Sequence, residues 1–541
     1  MTWLAETVML SHGWRRFLIV VVAGAIAATS APPLFFLPAL FLALPVWIWA
    51  LDGAERRATL FGRLFGPAFW IGFAFGLGYF SVALHWLGAA FIQQGGIFLV
   101  LMPFGIAGLA AILAVFWGLG SALAHLMWTG GWFRIVTFTA CLALAEWARG
   151  NLLTGFPFDL IGYALTGTDQ LMQLASITGL YGLTLIAILM AATPALIWPA
   201  DQRGWALRVL PFTVAMACLA LQFGYGYWRL GNTPVMPRTD TKLRMVQPMI
   251  LDHADWSQGD PSRIITGLLD LSSQQLTPSD PGLDGITMLV WPESVFPFFL
   301  STYPDALARI ARALPPDTLL LTGAPREPIG DDGLPIPDNP GFNSILAIDT
   351  NGEVVASYDK SHLVPFGEYL PFQSFWRLFG INQFVPGTNG WAPGDGKRLM
   401  QGPGWPEFLA LVCYEAVFPG DIGSPEDIER AQFILNITND AWFDGSLGPA
   451  QHAHLTRLRS VETGLPMLRA ANTGMTFATD PLGRITASLA PLQPGVLDVV
   501  PAEKLAEGTL FNRLGDWPFF ALVALGLLIS GIVARRPRRL E

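Results

Sequence analysis

Apolar residues run almost without interruption through residues 1–230, then recur only in short runs between Thr239 and Leu510, and a last apolar run covers Trp517 to Ala534. A membrane-spanning helix needs roughly 20 mostly apolar residues, because hydrocarbon offers no water to satisfy backbone N–H and C=O groups. By that rule seven helices are predicted in the first part: Arg16–Ser30, Leu34–Leu51, Pro67–Ile92, Ile97–Met127, Phe133–Arg149, Leu171–Pro199 and Ala206–Trp228. The final run makes an eighth. The first could instead be read as a signal peptide, since Arg15 and Arg16 precede an apolar stretch that ends in small residues, Ala27 to Ala31. A second span starts a few residues later, so a retained helical hairpin is the preferred reading.

Arginine placement sets the orientation. Arg15 and Arg16 precede the first helix, Arg56, Arg57 and Arg63 follow the second, Arg203 and Arg208 follow the sixth, and Arg535, Arg536, Arg538 and Arg539 follow the eighth. With alternating spans all of these fall on one side, which is then cytoplasmic, as are both termini. The expected organisation is a transmembrane domain at 1–230, an extramembrane domain at 239–510 on the opposite, periplasmic face, a C-terminal transmembrane helix at 517–534 and a basic tail at 535–541. Glu146 and Arg149, one turn apart, read as a structural ion pair near a helix end, and Gly72 with Gly76 as a small-residue seam for close helix packing.

The pattern changes after Thr239. Short apolar, β-branched runs at 242–247, 286–291, 318–324, 343–349, 408–413 and 432–438 alternate with helical or loop segments. Near-continuous apolar strands of this kind belong to sheets covered on one or both faces. Asp260-Pro261 is an N-cap and first-turn pair that opens a helix to about Leu276, and an amphipathic helix is expected over Ala450–Glu462. The extramembrane part is an α/β domain.

Composition narrows the function. At 52% hydrophobic and 13% charged residues, the chain is a polytopic membrane protein. The net charge is −9 and the arginines sit in short loops, so no nucleic-acid partner is expected. Cys141, Cys218 and Cys413 lie in three different segments without a CxxC, and neither HExxH nor GxSxG occurs, which disfavours a zinc site, a disulfide framework and a serine-hydrolase elbow. No metal and no cofactor are expected.

Three strand ends carry chemistry-capable residues. Glu293 follows "LVW" in "LVWPES", Lys360 and Glu368 lie in "SYDKSHLVPFGE", and Cys413 ends "FLALVC" and runs into Tyr414 and Glu415. A free thiol has a pKa of about 8.5, so little thiolate exists near neutrality. A carboxylate in reach can take the thiol proton as attack occurs, and an ammonium can stabilise the resulting oxyanion. Base, cation and nucleophile together make and break a thioester. His362 reads as a hydrogen-bonded loop residue, and the sequon Asn436-Ile437-Thr438, within an apolar strand, as incidental.

In their order, "WPES", "YDKSHLVPFGEYLP" and "VCYEAVFP" resemble the Glu-Lys-Cys signature of the nitrilase, or carbon–nitrogen hydrolase, superfamily. With helices on both sides and "EWARGNLLTGFPFDLIGYA" upstream, the resemblance narrows to its membrane branch, the apolipoprotein N-acyltransferases of Gram-negative bacteria. It implies an αββα sandwich with Glu293 as general base, Lys360 as oxyanion stabiliser and Cys413 as nucleophile. It further implies that Glu368 supports lysine and base, that the Tyr414 N–H is a second oxyanion donor and that Glu415 is a supporting or gating residue. Trp256 and Asn343 match substrate-binding positions loosely. Soluble nitrilases commonly carry an arginine-containing segment after the cysteine, and here Ala416-Val417-Phe418 stand instead, away from simple nitriles or amides.

The implied reaction is ping-pong: acyl transfer from a phospholipid such as phosphatidylethanolamine to Cys413, then to the α-amino group of a diacylglyceryl-cysteine on an apolipoprotein. The implied setting is the inner membrane, with a monomeric enzyme. A membrane-tethered amidase or nitrilase-type hydrolase is the alternative. The segment Tyr369–Gly387, with Phe372, Phe375, Trp376, Leu378, Phe379, Ile381 and Phe384, reads as a lipid-facing arm or lid.

Overall fold

A computed structural model describes residues 2–199, 204–250, 261–330, 334, 336, 340–374, 378 and 390–535. The chain divides into two compact units. One comprises Met1–Thr233, Gly445–His454 and Arg513–Glu541, the other Pro234–Asp444 and Leu455–Asn512.

Among the described residues, six helices of the first unit are long and apolar enough to cross a membrane: Gly13–Ser30, Leu60–Ala83, Ile97–Leu126, Ala175–Leu196, Trp205–Asn232 and Trp517–Arg535. They mark a multi-pass membrane protein. The other two predicted spans are also helical. Pro38–Asp52 has 15 residues, and Phe133–Asn151, with 19, carries Arg134, Glu146 and Arg149 and is too charged to pass on composition alone. The third predicted span, Pro67–Ile92, is longer than its helix, which stops at Ala83, and a separate short helix covers Gly88–Gln94.

Small residues allow close helix approach in this unit. A Cβ on Gly72 would come within 2.4 Å of the Trp117 carbonyl, and one on Gly76 within 2.9 Å of Ala114 Cα, so both glycines face the helix Ile97–Leu126. The Glu146–Arg149 pair is fully buried at 2.9 Å. Trp117 Nε1 and the Ile161 N–H donate to Glu146, while Arg149 donates to the carbonyls of Phe156 and Phe158, so the pair pins the chain that follows its helix.

The second unit is built on twelve strands: β1 (Leu243–Gln247), β2 (Met288–Trp291), β3 (Leu319–Arg326), β4 (Phe342–Ile348), β5 (Val354–Asp359), β6 (Leu399–Gly402), β7 (Trp405–Val412), β8 (Phe433–Thr438), β9 (Met467–Ala471), β10 (Phe477–Thr479), β11 (Ile485–Ser488) and β12 (Gly495–Val499). They form two six-stranded sheets, ordered β12-β1-β2-β3-β4-β5 and β11-β10-β9-β8-β7-β6. In each sheet the central pairs are parallel (β1 with β2 and β2 with β3; β7 with β8 and β8 with β9), and the outer pairs are antiparallel.

Period-two alternation explains the apolar runs. Leu243, Met245, Met288 and Val290 point inward to meet Phe408, Ala410, Phe433 and Leu435 of the other sheet. Their neighbours Val246, Leu289 and Trp291 point outward against Ile265 and Leu268 of helix Pro261–Ser272 and Ile310 of helix Pro304–Ala313. On the far side helix Pro425–Arg430 lies against β7, and Ser460 of helix Gly448–Thr463 bonds Thr479 of β10 at 2.8 Å. The unit is therefore an αββα sandwich in the nitrilase manner. Both faces of the central strands are buried, which is why their sequences read as unbroken apolar runs.

Candidate active site

Topology gathers the strand ends. β5 runs antiparallel to β4, and β4 antiparallel to β3, so β2, β3 and β5 share a direction and their carboxyl ends meet the start of β4. Glu293 follows β2, Lys360 follows β5, and Asn343 opens β4. In the facing sheet Cys413 follows β7 and Asn439 follows β8. Crevices outside the carboxyl ends of parallel strands are where α/β folds place their ligands.

Glu293 is buried and held at both oxygens. Asn343 Nδ2 donates to Oε1 at 2.8 Å and the Asn439 N–H to Oε2 at 2.7 Å. Beside it in β3 stands Gly323, where a Cβ would approach the Pro292 carbonyl to 2.5 Å and Glu293 Cα to 2.6 Å. Only glycine leaves room for that approach. Lys360, its side chain only 1% exposed, places Nζ 2.8 Å from Glu368 Oε1 and 3.7 Å from Glu293 Oε1. Glu368 in turn accepts from the Val364 N–H at 2.7 Å and from Asn343 Nδ2 at 3.3 Å. Asn343 thus bridges the two carboxylates that flank the ammonium.

Cys413 sits at φ +51°, a left-handed conformation that costs a non-glycine residue of order 1–3 kcal/mol, and it opens a tight 3₁₀ turn, Cys413–Val417. Glu415 holds that turn. Fully buried, it accepts from the Val412 N–H at 2.8 Å, from the Ser361 N–H and hydroxyl at 2.8 and 2.9 Å, from the His362 N–H at 3.0 Å and from the Tyr358 hydroxyl at 2.9 Å. The nucleophile strand and the lysine loop are thereby tied through one carboxylate. Tyr414 is buried with its ring edge-on to Phe418, and the His362 ring packs on Phe418 at 4.0 Å.

The charges act on one another. Burial, reinforced by Glu368, raises the Glu293 carboxyl above its ordinary range, against the pull of Lys360 and its hydrogen bonds. Burial alone would lower the Lys360 ammonium, but the attraction of Glu368 and Glu293 outweighs it and the pKa is raised. Burial and Glu293 push the Cys413 thiol up, with Lys360 offsetting part of this. At neutral pH the site therefore holds a protonated thiol beside a charged ammonium. A thiol in that state needs a base during attack, not before it.

Of the residues picked out in the sequence, Glu293, Lys360, Glu368, Asn343 and Cys413 converge here, with Tyr414 and Glu415 in the turn beneath. Trp256 lies outside the described residues. So do Phe375, Trp376, Phe379, Ile381 and Phe384 of the aromatic segment, while Phe372 and Leu378 are 79% and 80% exposed. Four participants escaped the sequence reading. Asn439 holds Glu293 through its backbone, and Thr438, Asp440 and Arg469 form a buried network by the cysteine. A signal was present: "NITNDAW" packs polar side chains at the end of a fully buried strand.

Comparisons with known proteins place the chain among related sequences. Residues 23–193 match the family model described as the apolipoprotein N-acyltransferase N-terminal domain, and residues 282–500 match carbon-nitrogen hydrolase. An apolipoprotein N-acyltransferase of Rhodopseudomonas palustris is 38% identical over 540 residues, covering 99% of this chain and 98% of its own. One of Bradyrhizobium diazoefficiens is 40% identical over 531 residues, covering 97% and 96%. Among solved structures, an amidase of the nitrilase superfamily from Nesterenkonia is 17% identical and covers 54% of this chain and 99% of its own, with a TM-score of 0.34.

Proposed function

The chain belongs to the apolipoprotein N-acyltransferase family, and from that premise we propose that it completes lipoproteins by moving a phospholipid acyl chain onto their N-terminal cysteine through Cys413. The enzyme is an acyltransferase of lipoprotein maturation. Residues 1–230 and 517–534 are its membrane domain, 535–541 its basic tail and 239–510 its catalytic domain. The observation that carries the reading is a fully buried lysine set between two carboxylates, Glu368 at 2.8 Å and Glu293 at 3.7 Å, at the strand ends that also carry Cys413.

Cys413 attacks the ester carbonyl of a phospholipid, with phosphatidylethanolamine as the expected donor, while Glu293 accepts the thiol proton. Lys360 and the Tyr414 N–H stabilise the tetrahedral oxyanion. Glu293 then protonates the departing glycerol oxygen, and the lysophospholipid leaves. The α-amino group of a diacylglyceryl-cysteine attacks the thioester, loses a proton to Glu293, and the thiolate is reprotonated. Glu368 and Asn343 keep lysine and base in register, and Glu415 fixes the turn that presents the sulfur. No metal or cofactor enters these steps. Arginine placement supports an inner-membrane protein with both termini cytoplasmic and the catalytic domain periplasmic, and the family resemblance leads to the expectation of a monomer.

Detergent-purified enzyme supplied with acyl-labelled phosphatidylethanolamine and a diacylated lipopeptide is expected to yield the N-acylated lipopeptide. Label that reaches only free fatty acid would favour the hydrolase reading instead.

A second prediction concerns pH. The Asn343 amide donates to the charged form of Glu293 and so holds its pKa down against burial. Asn343→Leu removes that donor, the carboxyl pKa rises further, and the ionised base is lost from higher pH downward. The acidic limb of kcat/KM is expected to move to higher pH by about one unit, measured as the pH–rate profile of acyl transfer.

A further inference from the structure

Beneath the nucleophile lies a set of buried polar contacts that the proposed mechanism does not use. Arg469, fully buried on β9, donates through Nη1 to Asn436 Oδ1 at 2.6 Å and through Nη2 to Asp440 Oδ2 at 2.7 Å. Asn436 passes the first arm on, for its Nδ2 donates to the carbonyls of Leu411 at 3.2 Å and of Cys413 itself at 3.5 Å. Asp440 passes on the second. Its Oδ1 accepts from the Thr438 hydroxyl at 3.2 Å, and that hydroxyl also hydrogen-bonds the Cys413 side chain.

Donor counting gives this chain a direction. A carboxylate only accepts, and a hydroxyl carries one proton and two lone pairs. In the resting site Thr438 gives its proton to Asp440. When the thiol proton leaves, the same hydroxyl can turn and donate to the sulfur anion. The guanidinium keeps Asp440 in place through either state, and its other arm holds Asn436, whose amide donates to the carbonyl of Cys413, a residue in a strained left-handed conformation. A planar fork reaches two acceptors with fixed geometry, which a lysine ammonium does not.

We propose that Arg469 is a positioning residue of acyl-enzyme formation, acting through Asn436 on the backbone of Cys413 and through Asp440 and Thr438 on its thiol. The proposal rests on the reading of Cys413 as nucleophile. It adds a layer to that reading: the reactivity of the thiol is set from β8 and β9 as well as from Glu293 and Lys360.

The test is a double-mutant cycle in the full-length enzyme, following single-turnover labelling of Cys413 by acyl-labelled phosphatidylethanolamine and alkylation of the thiol by iodoacetamide. Arg469→Met is expected to slow acyl-enzyme formation roughly 100-fold, as a misplaced reacting atom does. Thr438→Val, which keeps shape and loses the hydroxyl, should slow it about 10-fold, and Thr438→Ser should recover most of that loss. The double variant should be no more than about 3-fold slower than Arg469→Met alone, because both act through one chain of contacts. KM for the lipopeptide acceptor should be unchanged.

If Arg469→Met does not fold, the isosteric Asp440→Asn takes its place in the same cycle. Wild-type acylation and alkylation rates in Thr438→Val, multiplicative effects in the double variant, or an unrescued Thr438→Ser would each overturn the proposal. Failure of the nucleophile reading looks different, because the wild-type enzyme itself would then carry no label on Cys413.

Discussion

Cys413→Ala is expected to remove acyl-enzyme formation altogether and to cut lipopeptide acylation by at least roughly 10,000-fold, the scale on which loss of a nucleophile is felt. The fold should survive. The thiol contributes little volume, and the turn beneath it is held by Glu415 and the backbone donors of Val412, Ser361 and His362, none of which the substitution touches. Serine at the same position should serve scarcely better, since a hydroxyl gives up its proton far less readily than a thiol and the site is already set against anions there by burial and Glu293. Loss of transfer with an unchanged unfolding transition, measured side by side on purified protein, checks this prediction.

Lys360→Met is expected to have the next largest effect, and for two reasons that separate experimentally. The ammonium is the fixed cation that faces the developing oxyanion, and removal of one such donor costs about 100- to 1,000-fold in kcat. It also faces two carboxylates, the partly buried Glu368 at 2.8 Å and the buried Glu293 at 3.7 Å. Breaking a buried ion pair by deleting one partner costs about 3–5 kcal/mol, because the remaining charge is left without compensation. Lys360→Met should therefore lower the unfolding midpoint as well as the rate. Adding Glu368→Gln, which removes the carboxylate 2.8 Å away, should recover stability without recovering acyl transfer. Recovery of both would mean that the lysine acts only as a structural counter-ion.

Much of this site was legible because it stands at strand ends. Glu293 and Cys413 each follow a run of apolar residues that burial on both faces makes conspicuous in a sequence, whereas Lys360 follows the half-exposed edge strand β5. Strands that lack this double burial were harder to see. β11, mostly exposed, shows no alternation to read, and β6 is only four residues long. Helix Pro304–Ala313 was missed because it buries little beyond Ala306 and Ile310.

The network beneath the cysteine was illegible for another reason. Asn436, Asp440 and Arg469 become meaningful only when parallel pairing sets β8 between β7 and β9, a register that depends on contacts across many residues. Read along the chain, Asn436 is part of an incidental sequon and Asp440 draws no notice. Glu415 was closer to hand, yet its hydrogen bonds to Ser361 and His362 span more than fifty positions. In the membrane unit, Glu146 and Arg149 were readable as a pair from their one-turn spacing, whereas the carbonyls that Arg149 binds lie in the irregular chain that follows.

The central claim is that an acyl group rests on Cys413 between donor and acceptor. It is tested most directly by a pulse and chase: purified enzyme is loaded with acyl-labelled phosphatidylethanolamine, freed of donor, and digested to locate the label, before and after addition of a diacylated lipopeptide. The account predicts a hydroxylamine-sensitive label on the peptide bearing Cys413 that passes to the lipopeptide amine during the chase. Label on another residue, or acylated lipopeptide formed without any label on Cys413, would contradict it.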